Sequence, residues 1–305
     1  MCIRDRGSSR GEQPPEVMVD TLQRLNINML FCVGGDGTLR GAHAIQQEVE
    51  RRKLPISIIG IPKTIDNDLN LVDRTFGFET AVYKAAEIIG QAHVEARGAY
   101  NGLAVVKLMG RDSGFIAAYA TLANTVVNVC LIPEVPFHLE GHDGLFEALE
   151  RRFRGGKTHC VLVVAEGAGQ ELFKDLPETR DASGNVLKHD IGDHLCQQIQ
   201  SHFDMLGLDM SVKFFDPSYT IRSIPAEGTD AIFCYQLAEN AVHAAMAGRT
   251  DIVVGSTGGT FTHVPIPFAT FQRKKIDVNG PLWHAVLSAT RQDDYFHPHA
   301  RRKRH

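Results

Sequence analysis

The chain's 305 residues, 43% of them hydrophobic, can bury a large core and are about enough for two α/β domains. A formal net charge of −4 argues against a general nucleic-acid binder, no run of about eighteen apolar residues offers a membrane span, and the N-terminus lacks the apolar stretch of a signal peptide, so the chain reads as cytoplasmic. The six cysteines (Cys2, Cys32, Cys130, Cys160, Cys196 and Cys234) show no paired metal spacing and read as free thiols of a reducing compartment, and the fourteen histidines form no ligand array for zinc.

Residues 29–33 (MLFCV) predict a buried parallel strand that delivers the chain into GGDGT at 34–38, and residues 39–52 predict the helix that follows. Glycines at such a junction let backbone N–H groups approach phosphate oxygens, the helix points its positive end at them, and Asp36 adds a hard oxygen suited to magnesium. A second apolar run, 56–61 (ISIIGI), ends in PKTIDND at 62–68, which carries Lys63, Thr64, Asp66 and Asp68. In an extended segment the two carboxylates point the same way, and Lys63 supplies the opposite charge that a crowded anionic site needs. One carboxylate can then hold metal while the other accepts a proton. A plain strand-to-helix turn also accounts for GGDGT, but a turn has no need of Lys, Thr and two Asp together.

Further along, strands at 127–132, 159–165 and 211–215 alternate with helices at 144–154 and 230–247, a pattern that implies parallel sheets covered by helices. Residues 173–190 are polar and turn-rich and read as a loop, and the basic run at 300–305 reads as a solvated tail.

From residue 7 onward the chain resembles the 6-phosphofructokinases, in particular the ATP-dependent branch of trypanosomes, plants and spirochaetes. The resemblance rests on GSSRG (7–11), GGDGTLRGA (34–42), GIPKTIDNDL (60–69), KLMGRDSGFIAA (107–118), VVAEG (163–167) and DPSYTIRS (216–223), in the family's order. It implies two Rossmann-like three-layer α/β domains with parallel-rich sheets and an active site in the interdomain cleft. The nucleotide-binding domain would comprise 7–77 and 222–268, the sugar-phosphate domain 78–221 and 269–293, with 1–6 a start foreign to the family and 294–305 a basic tail.

By the same resemblance, Arg10 and Gly11 with Gly35, Asp36, Gly37 and Thr38 would bind ATP, and Asp36 would hold Mg2+. Asp66 would take the proton from the C1 hydroxyl of fructose 6-phosphate as it attacks the γ-phosphate, with Thr64, Ile65 and Asp68 positioning substrate. Lys63 and Arg111, the latter within Met109-Gly110-Arg111, would offer positive charge to the transferring oxygens. Glu166 would hold sugar hydroxyls, and Tyr219, Arg222 and Lys213 the 6-phosphate. Other readings stand beside these: Arg111 as an ion-pair partner of Asp112, Glu166 as a cap of the following turn, Tyr219 as a packed aromatic.

Pyrophosphate-using members resemble this chain at PKTIDND but typically carry Asp where Gly37 stands, so Gly37 favours ATP, while Lys63 occurs in both groups. Bacterial ATP enzymes place an arginine where this chain has Gly102, and Asn101, Tyr100 or Lys213 are the available substitutes. Family members are commonly homo-oligomers, often tetramers under allosteric control, and have a strand and glycine-rich turn ahead of GSSRG. Their absence here leads to the expectation of a fragment of a kinase; a pyrophosphate-dependent enzyme and a catalytically incomplete or non-catalytic subunit are the alternatives.

Overall fold

The computed structural model describes residues 13–179 and 186–296. In chain order the elements are α1 (Pro15–Arg24), β1 (Met29–Gly34), α2 (Asp36–Arg51), β2 (Ser57–Pro62), α3 (Phe78–Gly98), β3 (Gly102–Leu108), α4 (Phe115–Ala123) and β4 (Val129–Leu131). They continue with α5 (Leu145–Arg154), β5 (His159–Ala165), α6 (Ile191–Met205), β6 (Ser211–Phe215), α7 (Gly228–Met246), β7 (Ile252–Thr257), β8 (Thr260–Pro265), α8 (Ile266–Thr270), α9 (Pro281–Thr290) and α10 (Asp293–Phe296).

Two compact units emerge. The first holds the described residues through Thr80 together with Pro225–Lys274, and the second holds Ala81–Thr179, Leu187–Ile224 and the chain from Lys275. The first contains a sheet of order β1-β2-β7-β8, in which β1, β2 and β7 are parallel and β8 returns antiparallel from β7. Alternation along β2 sends Ile58 to one face, where it packs with Leu39, Ile45 and Val49 of α2 and Val19 and Leu22 of α1. Ile59 faces the other way, onto Phe233, Leu237 and Ala241 of α7. Apolar residues in succession are thus buried on both faces, which is why β2 reads as an unbroken apolar run.

The second unit has an all-parallel sheet of order β4-β5-β3-β6. Leu103 and Val105 of β3 and Cys160, Leu162 and Val164 of β5 bury against Leu145 and Leu149 of α5 and Leu195 and Ile199 of α6. The intervening Ala104, Val106, Val161 and Val163 are also fully buried, on the side where α4 packs against β4 and β5. Each sheet is therefore a layer between helices, and in each unit the loops that carry the sequence-predicted site residues leave the C-terminal ends of parallel strands.

Candidate active site

β1 ends at Gly34, Gly35 is the N-cap in extended conformation, and α2 begins at Asp36 with no side chain capping it. The first N–H groups of such a helix have no intrahelical acceptor, so backbone donors and the positive helix end face the same space. Each glycine here has its own reason. A Cβ on Gly34 would fall 2.2 Å from Thr38 Oγ1, and one on Gly35 would lie 3.5 Å from Thr64 Cβ, whereas one on Gly37 would meet nothing among the described residues within 4 Å. Packing demands the first, fixes the approach of the second loop at the second, and leaves room at the third. Arg10 and Gly11, expected to join this site, lie outside the described residues.

PKTIDND approaches this loop directly: Lys63 N–H donates to Gly34 O at 3.0 Å. The extended geometry in which the two carboxylates would point the same way is broken between them, because Asn67 sits in the left-handed region at φ 52°. That turn is held from within: Asn67 Oδ1 accepts from Thr75 N–H at 3.0 Å, Asn67 Nδ2 donates to Asp73 O at 3.1 Å, and Thr75 Oγ1 donates to Thr64 O at 2.8 Å. Asp66 and Asp68 are only 8% and 4% exposed, and Thr64 Oγ1 accepts from Asp66 N–H at 3.2 Å.

The cation at these carboxylates also differs from expectation. Lys63 is exposed, whereas Arg273 Nε lies 3.5 Å from Asp36 Oδ2 and 3.6 Å from Asp68 Oδ2 and so links the two loops. Asp36 additionally accepts from Arg40 at 3.0 Å. Lys274, next in sequence, donates its backbone N–H to Asp68 O at 2.8 Å and its ammonium to Val72 O at 2.7 Å. Burial pushes the Lys274 ammonium down to about 8, against the opposing pull of Asp73 and Asp68. In sequence these residues are only part of a short basic cluster, QRKK at 272–275, which carries no signal of its position.

The residues expected to hold the sugar phosphate lie in the second unit. After β3 the chain turns through Gly110 (φ 141°) and Arg111 (φ 52°), and Glu166 at the end of β5 braces that turn. Its Oε1 accepts from Arg111 N–H at 2.8 Å and Gly110 N–H at 3.2 Å. Glu166 is thus a cap, but of the Met109-Gly110-Arg111 turn, and a Cβ on neighbouring Gly167 would lie 1.9 Å from Arg111 O. Tyr219 is 76% exposed rather than packed, and the Arg222 guanidinium lies 4.8 Å from its ring centroid.

Lys213, by contrast, points its ammonium to within 3.9 Å of Glu95 on α3. Gly102 has a packing cause, since a Cβ there would lie 2.1 Å from Ala96 O and an arginine has no room. Of its suggested substitutes, Asn101 is committed to Asp209 O at 3.0 Å and Tyr100 is exposed.

Gly35 to Thr38, Lys63 to Asp68 and Arg273 are therefore one assembly, and Met109 to Arg111 with Glu166 is another, with Tyr219 and Arg222 in the same unit as the latter. The first has the chemistry of an anion cradle beside buried carboxylates; the second carries the guanidinium groups of Arg111 and Arg222, the Glu166 carboxylate and the Tyr219 hydroxyl, groups suited to binding anions and hydroxyls.

The family model described as Phosphofructokinase matches residues 4–245. Among curated proteins, ATP-dependent 6-phosphofructokinase of Borreliella burgdorferi is 48% identical over 291 residues, 94% of this chain and 65% of that protein. ATP-dependent 6-phosphofructokinase 7 of Arabidopsis thaliana is 46% identical over 96% of this chain and 60% of its own length, and the Trypanosoma brucei brucei enzyme 48% identical over 93% and 58%. The chain thus spans about six-tenths of the length of these relatives. A pyrophosphate-dependent phosphofructokinase from Marinobacter aquaeolei shares the fold, with a TM-score of 0.72 over 93% of this chain and 72% of that one at 22% identity. By the family match and by these relatives, the chain belongs to the phosphofructokinase family.

Proposed function

We propose that the protein transfers the γ-phosphoryl group of MgATP to the C1 hydroxyl of fructose 6-phosphate, giving fructose 1,6-bisphosphate and ADP in glycolysis. The observation that carries this reading is the apposition of the uncapped, glycine-lined start of α2 to the buried Asp66 and Asp68, with open space at Gly37. Backbone N–H groups of Asp36, Gly37 and Thr38 hold nucleotide phosphates, and Gly37 leaves room for the α-phosphate that pyrophosphate lacks. The names of the curated relatives support ATP as donor.

Asp66 serves as the base that accepts the C1 hydroxyl proton, Thr64, Ile65 and Asp68 shape its surroundings, and Lys63 and Arg111 are assigned the positive charge that the transferring oxygens require. Glu166 holds the Arg111 turn and offers its remaining carboxylate oxygen to a sugar hydroxyl; Tyr219 and Arg222 receive the 6-phosphate. Asp36, a hard oxygen donor at the start of α2, is the residue that would hold a magnesium ion, together with oxygens of the nucleotide phosphates, since among the described residues no cluster of three or more potential ligand side chains forms a metal site. When bound, the ion would supply positive charge to the β- and γ-phosphate oxygens. A homo-oligomeric, cytoplasmic protein belongs to the same proposal, supported by the resemblance and by buried thiols such as Cys130, which burial pushes up to about 12. Among the described residues no helix is long and apolar enough to cross a membrane.

The test is an Asp66→Asn variant assayed with fructose 6-phosphate and ATP. Loss of general-base catalysis lowers kcat by roughly 10²- to 10⁴-fold, with both KM values near those of the wild type; unchanged turnover refutes the assignment. Replacing ATP by pyrophosphate in the same assay tests the donor.

A further inference from the structure

Lys107 lies on β3, two residues before Met109, with its side chain 12% exposed. Its ammonium stands 2.9 Å from Asp216 Oδ2 and 3.0 Å from Asp190 Oδ2, and 5.6 Å from the centroid of the Phe214 ring. The two acids come from segments that lead to different parts of the candidate sugar-phosphate site. Asp216 opens the segment bearing Tyr219 and Arg222, where its Oδ1 accepts from Ser218 N–H at 3.1 Å and from the Ser218 hydroxyl. Asp190 caps α6, accepting from Gly192 N–H at 3.1 Å and Asp193 N–H at 3.2 Å.

The residues just before Asp190 are fastened to the other two loops. Lys188 reaches Asp112, the neighbour of Arg111, at 2.5 Å. His189 exchanges two hydrogen bonds with Gln170, whose Nε2 also donates to Glu166 O at 2.9 Å. One ammonium is therefore the common charge partner of segments that adjoin Arg111, Glu166, Tyr219 and Arg222.

We propose that Lys107 is a positioning residue of the sugar-phosphate half-site, acting through Asp216 to hold the 216–222 turn and through Asp190 to hold 188–190 beside the Arg111 turn. Burial disfavours the Lys107 ammonium, but the hydrogen bonds to Asp216 and Asp190 outweigh it and raise its proton affinity overall. Burial likewise opposes the Asp216 carboxylate and is outweighed by Lys107 and Ser218, which hold it below the usual carboxylate range. Removing the cation would leave two carboxylates facing each other without compensation, so the turns they anchor would move apart.

The inference rests on the proposed sugar-phosphate chemistry, and its test separates the two. In the full chain, Lys107→Met is expected to raise KM for fructose 6-phosphate about 10- to 100-fold, the scale of a misplaced binding group, while KM for ATP changes less than about threefold. Lys107→Arg, which restores the charge, is expected to recover most of the loss. Hydrogen exchange should quicken at 216–222 and 188–190 in Lys107→Met and stay unchanged in α2. Unchanged exchange in those segments, or an equal increase throughout the chain, overturns the positioning role. Absence of turnover in the wild type overturns the proposed function instead, and the exchange comparison still decides the role of Lys107.

Discussion

Replacing Gly37 by Asp separates what the α2 junction contributes to folding from what it contributes to binding. Among the described residues, nothing beyond the helix's own backbone lies within 4 Å of the position a Cβ would take at Gly37, and its backbone is outside the left-handed region, so the substitution introduces no clash with them. Leaving glycine in a helix removes a backbone entropy cost, and a carboxylate in the first turn of α2 meets the positive helix end, so the fold gains about 0.5–1 kcal/mol. For a nucleotide at the same helix end the sign reverses. Two unit charges 4 Å apart at an effective dielectric near 20 repel by about 4 kcal/mol, and by about 2 kcal/mol at twice that distance. Affinity for ATP should therefore fall roughly 30- to 1,000-fold, since 1.4 kcal/mol is a factor of ten. Titration calorimetry with ATP and thermal unfolding of Gly37→Asp, with Gly37→Ala as the uncharged control, provide the measurement. Unaltered ATP affinity in a folded Gly37→Asp protein refutes the argument that phosphates occupy this space.

Gly167→Ala places a methyl group against the Arg111 carbonyl, at an unrelaxed 1.9 Å. The turn must shift, which should cost about 1–3 kcal/mol and lower turnover; unchanged Tm and kcat would show that the turn has slack. Lys274 gives a pH signature, because its pKa falls from 10.5 unfolded to about 8 in the fold. Between those values the unfolded chain binds the extra proton, so this group makes stability rise with pH from about 8 to 10.5, by at most roughly 3 kcal/mol. Below pH 8 both states are charged and the burial penalty is fully present. Denaturant midpoints for wild type and Lys274→Met should converge or diverge accordingly across pH 7.5–10.5; parallel profiles would exclude Lys274 as the source.

Much of the scaffold was legible because parallel strands buried on both faces are apolar runs bounded by turns. β5 and β6 were read to the residue, and β1, β2 and α5 within a residue or so. α2 begins at Asp36 instead of residue 39, since glycines that look like loop by propensity continue here as the first helical turn. The β7–β8 hairpin was not foreseen, although Gly258 and Gly259, both at positive φ, form the two-residue turn that such a hairpin requires. α3 and α6 were not read either, although Ile191, Leu195, Ile199 and Phe203 recur at four-residue spacing along α6 and Ala81, Ala85, Ala92 and Ala96 mark the buried face of α3.

The sequence by itself determined which residues have the right chemistry: GGDGT, PKTIDND and the Met109-Gly110-Arg111 turn are local, and glycine, carboxylate and guanidinium at close spacing restrict what each can do. The tertiary structure decided their partners. Asn67 bends the carboxylate loop, Arg273 reaches Asp36 and Asp68 from about two hundred residues away, Glu166 braces Arg111, and Lys213 turns to Glu95. These outcomes depend on where separate strands end in space, and the register of a sheet sets that over distances no local pattern encodes.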